Sequence, residues 1–318
     1  MTTPLLRIGT RGSPLALIQA EAVRQRLAAA HAELSVAGAL EIVAIRTTGD
    51  LVRDRTLAAI GGKGLFTKEI EAALLAREID VAVHSLKDMA TQLPDGLCIG
   101  CHLPRADPRD AFVSARAKRL IDLPRGAVVG SSALRRQAQL LRVRPDLRVV
   151  PLRGNVETRL GKVSDGKVDA ALLAVAGLAR LGLESRITEI VPTDVMLPAP
   201  AQGTIAAEAR AGDDRVLRYL APLDDSETAA RSTAERALLA ALDGSCRTPI
   251  AALAEIEAAG RLTLQARIIR PDGTECHEAR MSGAAVDAAR IGREVGARLR
   301  SEAGAGFFDL PIPEGTPV

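Results

Sequence analysis

A few short stretches of the chain concentrate side chains able to bind anions or move protons. "VAVHSLKDM" (81–89) closes an apolar run with His84, Ser85, Lys87 and Asp88. A carboxylate there can transfer protons or stabilise a developing cation. A Lys–Asp pair on a surface loop is the plain alternative. "GSSALRRQ" (130–137) runs from Gly130, Ser131 and Ser132 into a helical pattern. Helix N-termini present free N–H groups to anions, and Arg135 and Arg136 add two planar forks suited to carboxylate or phosphate. Between 131 and 160 stand seven arginines and two acidic residues, with Arg153 and Arg159 in "PLRGNVETRL". Arg11 in "GTRGSP" and Arg180 in "AVAGLARLG" follow other strand-like runs. A solvated basic face is the plain reading of such a cluster. Against it, these arginines fall at strand ends and helix starts, where a cleft belongs. Several of them facing one cleft would suit a ligand with many carboxylates; one phosphate would need fewer.

Cysteine raises separate possibilities. Cys246 lies in "ALDGSCRTPI", a small polar bend, whereas free cysteines are usually buried among apolar residues. No histidine is close in sequence, so a Cys–His nucleophile is not indicated. Its spacing to Cys276 fits no metal pattern. A loop cysteine beside a carboxylate-binding cleft could anchor something covalent. "CIGCH" (98–102) matches a haem-attachment pattern. Its flanks read as a strand, where residues three apart point to opposite faces. Structural cysteines are therefore favoured over haem, metal or a redox dithiol. "GGKGLF" (61–66) lacks the spacing of a phosphate loop.

The elements that must position these residues alternate. "LLRIGT" reads as a strand, then a helix from "SPLALIQA" with Ser13 as N-cap and Pro14 at its first position. "LEIVAIRT", a helix over 65–78 and the strand "IDVAVHS" follow. Residues 47–64 carry charge and glycine without periodicity and are expected to form a mobile loop. The pattern restarts near 105, with strands "AVVGSS", "LRVVPL" and "VDAALLAVAG" separated by helices. Strands alternating with helices imply parallel α/β sheets. Residues 195–210 bring Pro, Gly and a strand that could cross back to the first unit. After 222 come a helix over 225–242, capped by Asp225 or Ser226, three strand-like runs and a helix over 284–303, a small α+β domain.

Bulk properties set limits. At 47% hydrophobic and 25% charged, the 318 residues have a soluble globular composition with room for two or three domains. No apolar run of membrane-spanning length or export-signal layout is present, so a cytoplasmic protein is expected. One Tyr, four Phe and no Trp argue against a base-stacking nucleic-acid surface. The 36 Arg against 6 Lys reflect in part a codon bias, which does not explain why the arginines cluster.

The chain resembles the porphobilinogen deaminase (hydroxymethylbilane synthase) family. "LRIGTRGSPLALIQA", "GGKGLFTKEIE", "AVHSLKDM", "DPRDAFVS", "GSSALRRQAQL", "LRGNVETRL", "LAVAGLARLGLESRI", "APAQGTIAAE", "ETAARSTAERA" and "GSCRTPI" match its motifs in order. The resemblance implies two α/β domains of the type II periplasmic-binding-protein kind, over 1–104 with 200–221 and over 105–199. A small α+β domain over 222–318 would carry the cofactor cysteine. It implies a transferase that joins four porphobilinogen units into a linear tetrapyrrole, with loss of ammonia at each step. The chain would grow on a dipyrromethane bound through a thioether to Cys246. Asp88 would be catalytic, with Arg11 and Lys87 beside it. Ser85, Lys87, Ser131, Arg135 and Arg136 would hold the cofactor. Arg11, Arg153, Arg159, Arg180, Phe66, Gln19 and Lys63 would meet substrate, Phe66 by stacking. No metal, nucleic acid or membrane partner is implied, and a monomer is expected. Ser245, Arg247 and Thr248 vary the family pattern around the cysteine, and Met89–Ala90 varies it after the aspartate.

Two rival readings make different demands. A non-enzymatic anion-binding receptor would need the arginines but not Cys246, Asp88 or a third domain. A haem or redox protein would need "CIGCH".

Overall fold

A computed structural model describes residues 4–51, 67–244, 248–257, 260–304 and 306–307. Strand β1 (Leu6–Arg11) is followed by helix α1 (Pro14–Ala30), β2 (Leu40–Ile45), α2 (Lys68–Leu75), β3 (Val81–Ser85) and β4 (Leu97–His102). Next come β5 (Asp110–Ser114), β6 (Val128–Gly130), α3 (Leu134–Val143), β7 (Arg148–Val150), α4 (Val156–Ser164), β8 (Ala170–Ala174), α5 (Val175–Arg180) and β9 (Glu189–Ile190). The chain continues with β10 (Ile205–Arg210), α6 (Asp214–Leu220), α7 (Ser226–Ala241), β11 (Ile250–Glu257), β12 (Arg261–Ile269), β13 (Cys276–Ala284) and α8 (Ala288–Ala303). Residues 4–51, 67–106 and 204–229 pack as one compact unit; 107–203 and the described residues from 230 onward pack as another.

The first unit is built on a sheet of order β2-β1-β3-β10-β4. β1, β2 and β3 run parallel, and β10 returns antiparallel to both β3 and β4. Helix α1 starts where Ser13 Oγ accepts from Ala16 N and Pro14 fixes the first φ. Its buried residues Ala16, Ala20, Val23 and Leu27 recur at helical spacing and cover one face of the sheet with Leu6, Ile8, Val81 and Val83. Helix α2 covers the other face through Ile70 and Leu74 against Ala82 and Ile79.

The second unit repeats this order. Its sheet runs β7-β6-β8-β5-β9, with β6, β7 and β8 parallel and β5 antiparallel to β8. The antiparallel β11-β12-β13 sheet packs on α7 and α8 and forms the small C-terminal α+β part. Glycines let the two helices touch: a Cβ at Gly292 would fall 2.2 Å from Ala234 O. This part is fastened to the middle of the chain. Ala252 N donates to Pro198 O, Leu197 packs on Ala251 and Leu253, and the buried Glu235 of α7 accepts from both Ala201 N and Ala254 N.

Several expectations shift in detail. The strand read over 168–177 ends at Ala174, and "VAG" already belongs to α5. Within 47–64, Thr48–Leu51 form one helical turn; residues 52–64 lie outside those described. "LCIGCH" is a strand, but its pairing with β10 shifts register between Ala207 and Glu208. Cys98 therefore stands opposite Ala209 and Cys101 opposite Ala207, which puts both cysteines on one face of the sheet. Cys101 is in the core, where burial pushes its thiol up to about 12, so it is no thiolate nucleophile. No helix among the described residues is long and apolar enough to cross a membrane.

Candidate active site

In both units the candidate residues gather at the carboxyl ends of the parallel strands, the usual ligand-binding edge of such sheets. In the first unit, β3 ends at Ser85 and turns through a short helix, Leu86–Asp88. Leu86 and Met89 are buried, and Leu86 N donates to Thr204 O at 3.0 Å. These two anchors leave Lys87 and Asp88 facing outward between them. Asp88 is exposed, and its carboxylate meets no hydrogen-bond donor or cation among the described residues. Gln19 on α1 is buried and donates from Nε2 to Ser85 Oγ at 2.8 Å, fixing the start of the turn. Arg11 ends β1, half-buried.

In the second unit, two serines follow β6. The buried Ser131 accepts from Ala133 N, and Ser132 accepts from Leu152 N beyond β7, which ties two strand ends together. Gly154, at φ +114°, lets the chain turn into α4, because a Cβ there would fall 2.6 Å from the Thr158 side chain. Asn155 caps α4 by accepting from Thr158 N at 2.8 Å. This turn carries Arg153 and Arg159, and Arg159 Nε donates to Gly154 O. Arg153 Nη2 is buried with no hydrogen-bond partner among the described residues. Arg180, at the end of α5, donates to Gly203 O at 2.6 Å and meets no carboxylate among the described residues. Burial pushes its guanidinium down to about 10. A half-buried cation without a countercharge is a place for an anion.

Arg135 and Arg136 differ. Both are buried on α3 and both grip Asp110 of β5, Arg135 Nη1 at 2.7 Å from Oδ2 and Arg136 Nη2 at 2.8 Å from Oδ1. Arg135 also donates to Leu197 O, Arg136 to Leu172 O, and Gln202 Nε2 to Asp110 Oδ1. Burial alone would raise the Asp110 carboxyl, but the two guanidinium charges outweigh it and hold the group well below the usual carboxylate range. The two forks thus already have an acid between them, and only Arg135 Nε among their nitrogens is buried without a partner. Residue types alone gave no sign of this arrangement. An acid within the otherwise apolar "DAFVS" is the one signal that could have found it.

The expected tether Cys246, with Lys63 and Phe66, lies outside the described residues. Among the described residues no group of three His, Cys, Asp or Glu side chains could hold a metal ion.

Family models for the dipyrromethane cofactor-binding domain of porphobilinogen deaminase, over residues 6–218, and for that enzyme's C-terminal domain, over 229–301, both match the chain. Porphobilinogen deaminase of Paracoccus denitrificans is 57% identical over 304 residues, 96% of each chain. That of Nitrobacter hamburgensis is 53% identical over 309 residues, 97% of each. The chloroplastic porphobilinogen deaminase of rice is 50% identical over 308 residues, covering 96% of this chain and 86% of its own. Matched by the models in both parts and about half identical to these relatives almost end to end, the chain belongs to the porphobilinogen deaminase family, the transferases that join porphobilinogen units on a dipyrromethane cofactor into hydroxymethylbilane.

Proposed function

We propose that Asp88, with Lys87 and Arg11, carries the stepwise deaminating coupling of four porphobilinogen units, and that Cys246 holds the growing chain. The observation that carries this reading is the charge pattern that each unit presents at its own strand ends. Among the described residues Asp88 is a carboxylate without a partner, and Arg153 and Arg180 have cationic groups that no acid answers. Such a set suits a chain of pyrroles, whose ring N–H groups need an acceptor and whose acetate and propionate groups need cations. When bound, the dipyrromethane supplies the pyrrole carbon at which the first coupling takes place.

The protein's own residues then do the following. Asp88 accepts hydrogen bonds from pyrrole N–H groups and stabilises the positive charge that develops as ammonia departs. Lys87 and Arg11 meet carboxylates from the first unit, beside Gln19 and Ser85. From the second unit, Arg153, Arg159 and Arg180 neutralise carboxylates that accumulate as the chain lengthens, and Ser131 adds a polar contact. Arg135 and Arg136 belong to the cofactor contacts in this reading, within the limits set by their grip on Asp110. Phe66 and Lys63 complete the substrate contacts. A covalent hold at Cys246 makes each coupling partly intramolecular, and this raises the effective concentration of the reacting ends. The same reading takes the protein as a monomer acting in the cytoplasm without nucleic acid, with domains over 1–104 plus 200–221, 105–199 and 222–318.

The test is the intact mass of the denatured protein beside Cys246→Ala. The expected result is an excess equal to two linked pyrroles in the wild type, absent from the variant together with activity. An excess that survives loss of Cys246, or full activity without it, would overturn the tether.

A further inference from the structure

Behind the Leu86–Asp88 turn, the first sheet buries three ionisable side chains that the chemistry above does not use. His84 is the residue before Ser85 on β3, Glu208 lies on β10 and Glu71 on α2; they are 5%, 0% and 7% exposed. His84 stands opposite Ala206, two residues from Glu208, so both side chains share the face that α2 covers. His84 Nε2 donates to Glu208 Oε2 at 3.2 Å. The second oxygen of Glu208 and Oε1 of Glu71 are buried, and neither makes a hydrogen bond among the described residues. Two ionised carboxylates left this way would each carry an unmet desolvation cost. A proton held by Glu71 would remove one of the two charges and give the cluster a donor. Burial, reinforced by the Glu208 charge and offset only in part by Thr67 and His84, holds the Glu71 carboxyl above its usual range.

The other charged or titratable groups from the neighbouring elements are mostly committed elsewhere. On β10, Arg210 donates to Leu74 O and Ile79 O and pairs with Asp80 and Asp213. On β1, Arg7 pairs with Asp80, and Arg11 stands at the strand's end. On α2, Glu69 accepts from Thr48, and Lys68 is exposed. On β4, burial and then the Glu208 charge push the Cys98 thiol up.

The cluster is wired to the turn. β10 pairs with β3 through Ile205 opposite Ser85 and Ala206 opposite His84, and the residue before β10, Thr204, accepts from Leu86 N. We propose that Glu71, Glu208 and His84 form a proton-sharing positioning cluster for Asp88, in which Glu71 remains a neutral acid and donates to Glu208, Glu208 holds His84, and the β3–β10 pair carries that alignment to the Leu86–Asp88 turn. The proposal rests on the reading of Asp88 as the catalytic carboxylate. None of the three side chains touches substrate.

The experiment uses the full chain as isolated, with variants Glu71→Ala, Glu71→Gln and Glu208→Gln. Glu71→Ala and Glu208→Gln are expected to lower kcat about tenfold, as small misplacements do, with KM within about twofold. Glu71→Gln keeps a donor toward Glu208, so it restores kcat to within about twofold of wild type. A melting series against pH gives the second readout. A carboxyl raised in the folded state costs stability as pH climbs from about 4.3, its unfolded value, through its folded value. The wild-type midpoint should therefore fall over that window, and Glu71→Gln should lack that fall. Equal pH slopes in the two proteins, or a Glu71→Gln enzyme as slow as Glu71→Ala, would overturn the shared proton. A rise in KM with unchanged kcat in Glu208→Gln would overturn the positioning role. Failure of the Asp88 reading is distinct: it would appear as full kcat in Asp88→Asn, which leaves the melting series untouched.

Discussion

The two five-stranded sheets of this protein share a strand order, and each buries an acid on the strand that runs antiparallel to both its neighbours. On β5 the acid is Asp110, gripped by two arginines; on β10 it is Glu208, which pairs with a histidine and whose charge bears on a second acid, Glu71. The same backbone plan thus holds opposite charge inventories. Around Asp110 cations are in excess and the carboxyl is held low. Around Glu208 carboxyls are in excess and one of them, Glu71, is held high. The sheet plan decides where a side chain can sit. The company it finds there, brought from distant parts of the chain, decides its charge.

The largest effect expected from breaking this contrast is at Asp110. Asp110→Asn would leave two buried guanidiniums without a countercharge, a loss of about 3–5 kcal/mol typical of breaking a buried pair. Urea unfolding at neutral pH measures it. The pH dependences should also run opposite ways. Asp110 is depressed, so its contribution is complete above about pH 4, the unfolded carboxylate value, and is lost as pH falls toward its folded value. Wild type should therefore lose stability more steeply on that acid side than Asp110→Asn, which keeps only the shallower slope of other depressed carboxylates such as Asp146 and Asp213. A variant with the wild-type acid slope would mean that another carboxylate governs it.

Much of this plan was legible in the sequence, and the illegible parts have physical causes. Alternating apolar runs and helical periods marked β1, α1, β3, α3 and the C-terminal elements, because each buries one face at a fixed spacing. Ser13 and Pro14 announced α1 because capping is local chemistry. The β8–α5 junction was missed because "ALLAVAG" is small and apolar throughout, and its cap residue, Ala174, makes no side-chain bond. The bulge in β4 was invisible because register is set by the partner strand. Arginine was the hardest residue to sort. Arg135, Arg136, Arg153 and Arg180 all stand near strand ends or helix starts and look alike in sequence. Arg135 and Arg136 are set apart by an acid 25 and 26 residues away, which no local pattern links to them.

That distinction sharpens into a second prediction, of intermediate size. Among the described residues half-buried Arg180 meets no carboxylate, so removing it strands no acid; relief of a desolvated cation is set against the donor that Gly203 O loses. Arg180→Met should stay close to wild type in unfolding free energy. It should nonetheless raise KM for porphobilinogen about tenfold, in keeping with the ~1.5–3 kcal/mol of a charged hydrogen bond. Asp110→Asn should show the reverse balance, with stability the main loss. If Arg180→Met were the less stable of the two, the separation of structural from ligand-facing arginines would fail.

The smallest expected effect tests the first helix after the leading strand of each sheet. Helix α1 has a side-chain cap, with Ser13 Oγ 3.4 Å from Ala16 N; the counterpart α3 begins after Ala133, which has none. Ser13→Ala should cost about 0.5–1 kcal/mol, the low end for a cap whose bond is this long. Ala133→Ser should act in the opposite direction by a similar amount, because Ala133 already has the extended backbone of a cap residue. The second substitution also spends an N–H group that would otherwise face an anion at the start of α3, so it should weaken porphobilinogen binding as it stabilises. Paired measurements of unfolding and KM on both variants read the trade directly. A stabilised Ala133→Ser protein with unchanged KM would show that the start of α3 serves the fold alone, as Ser13 does at the start of α1.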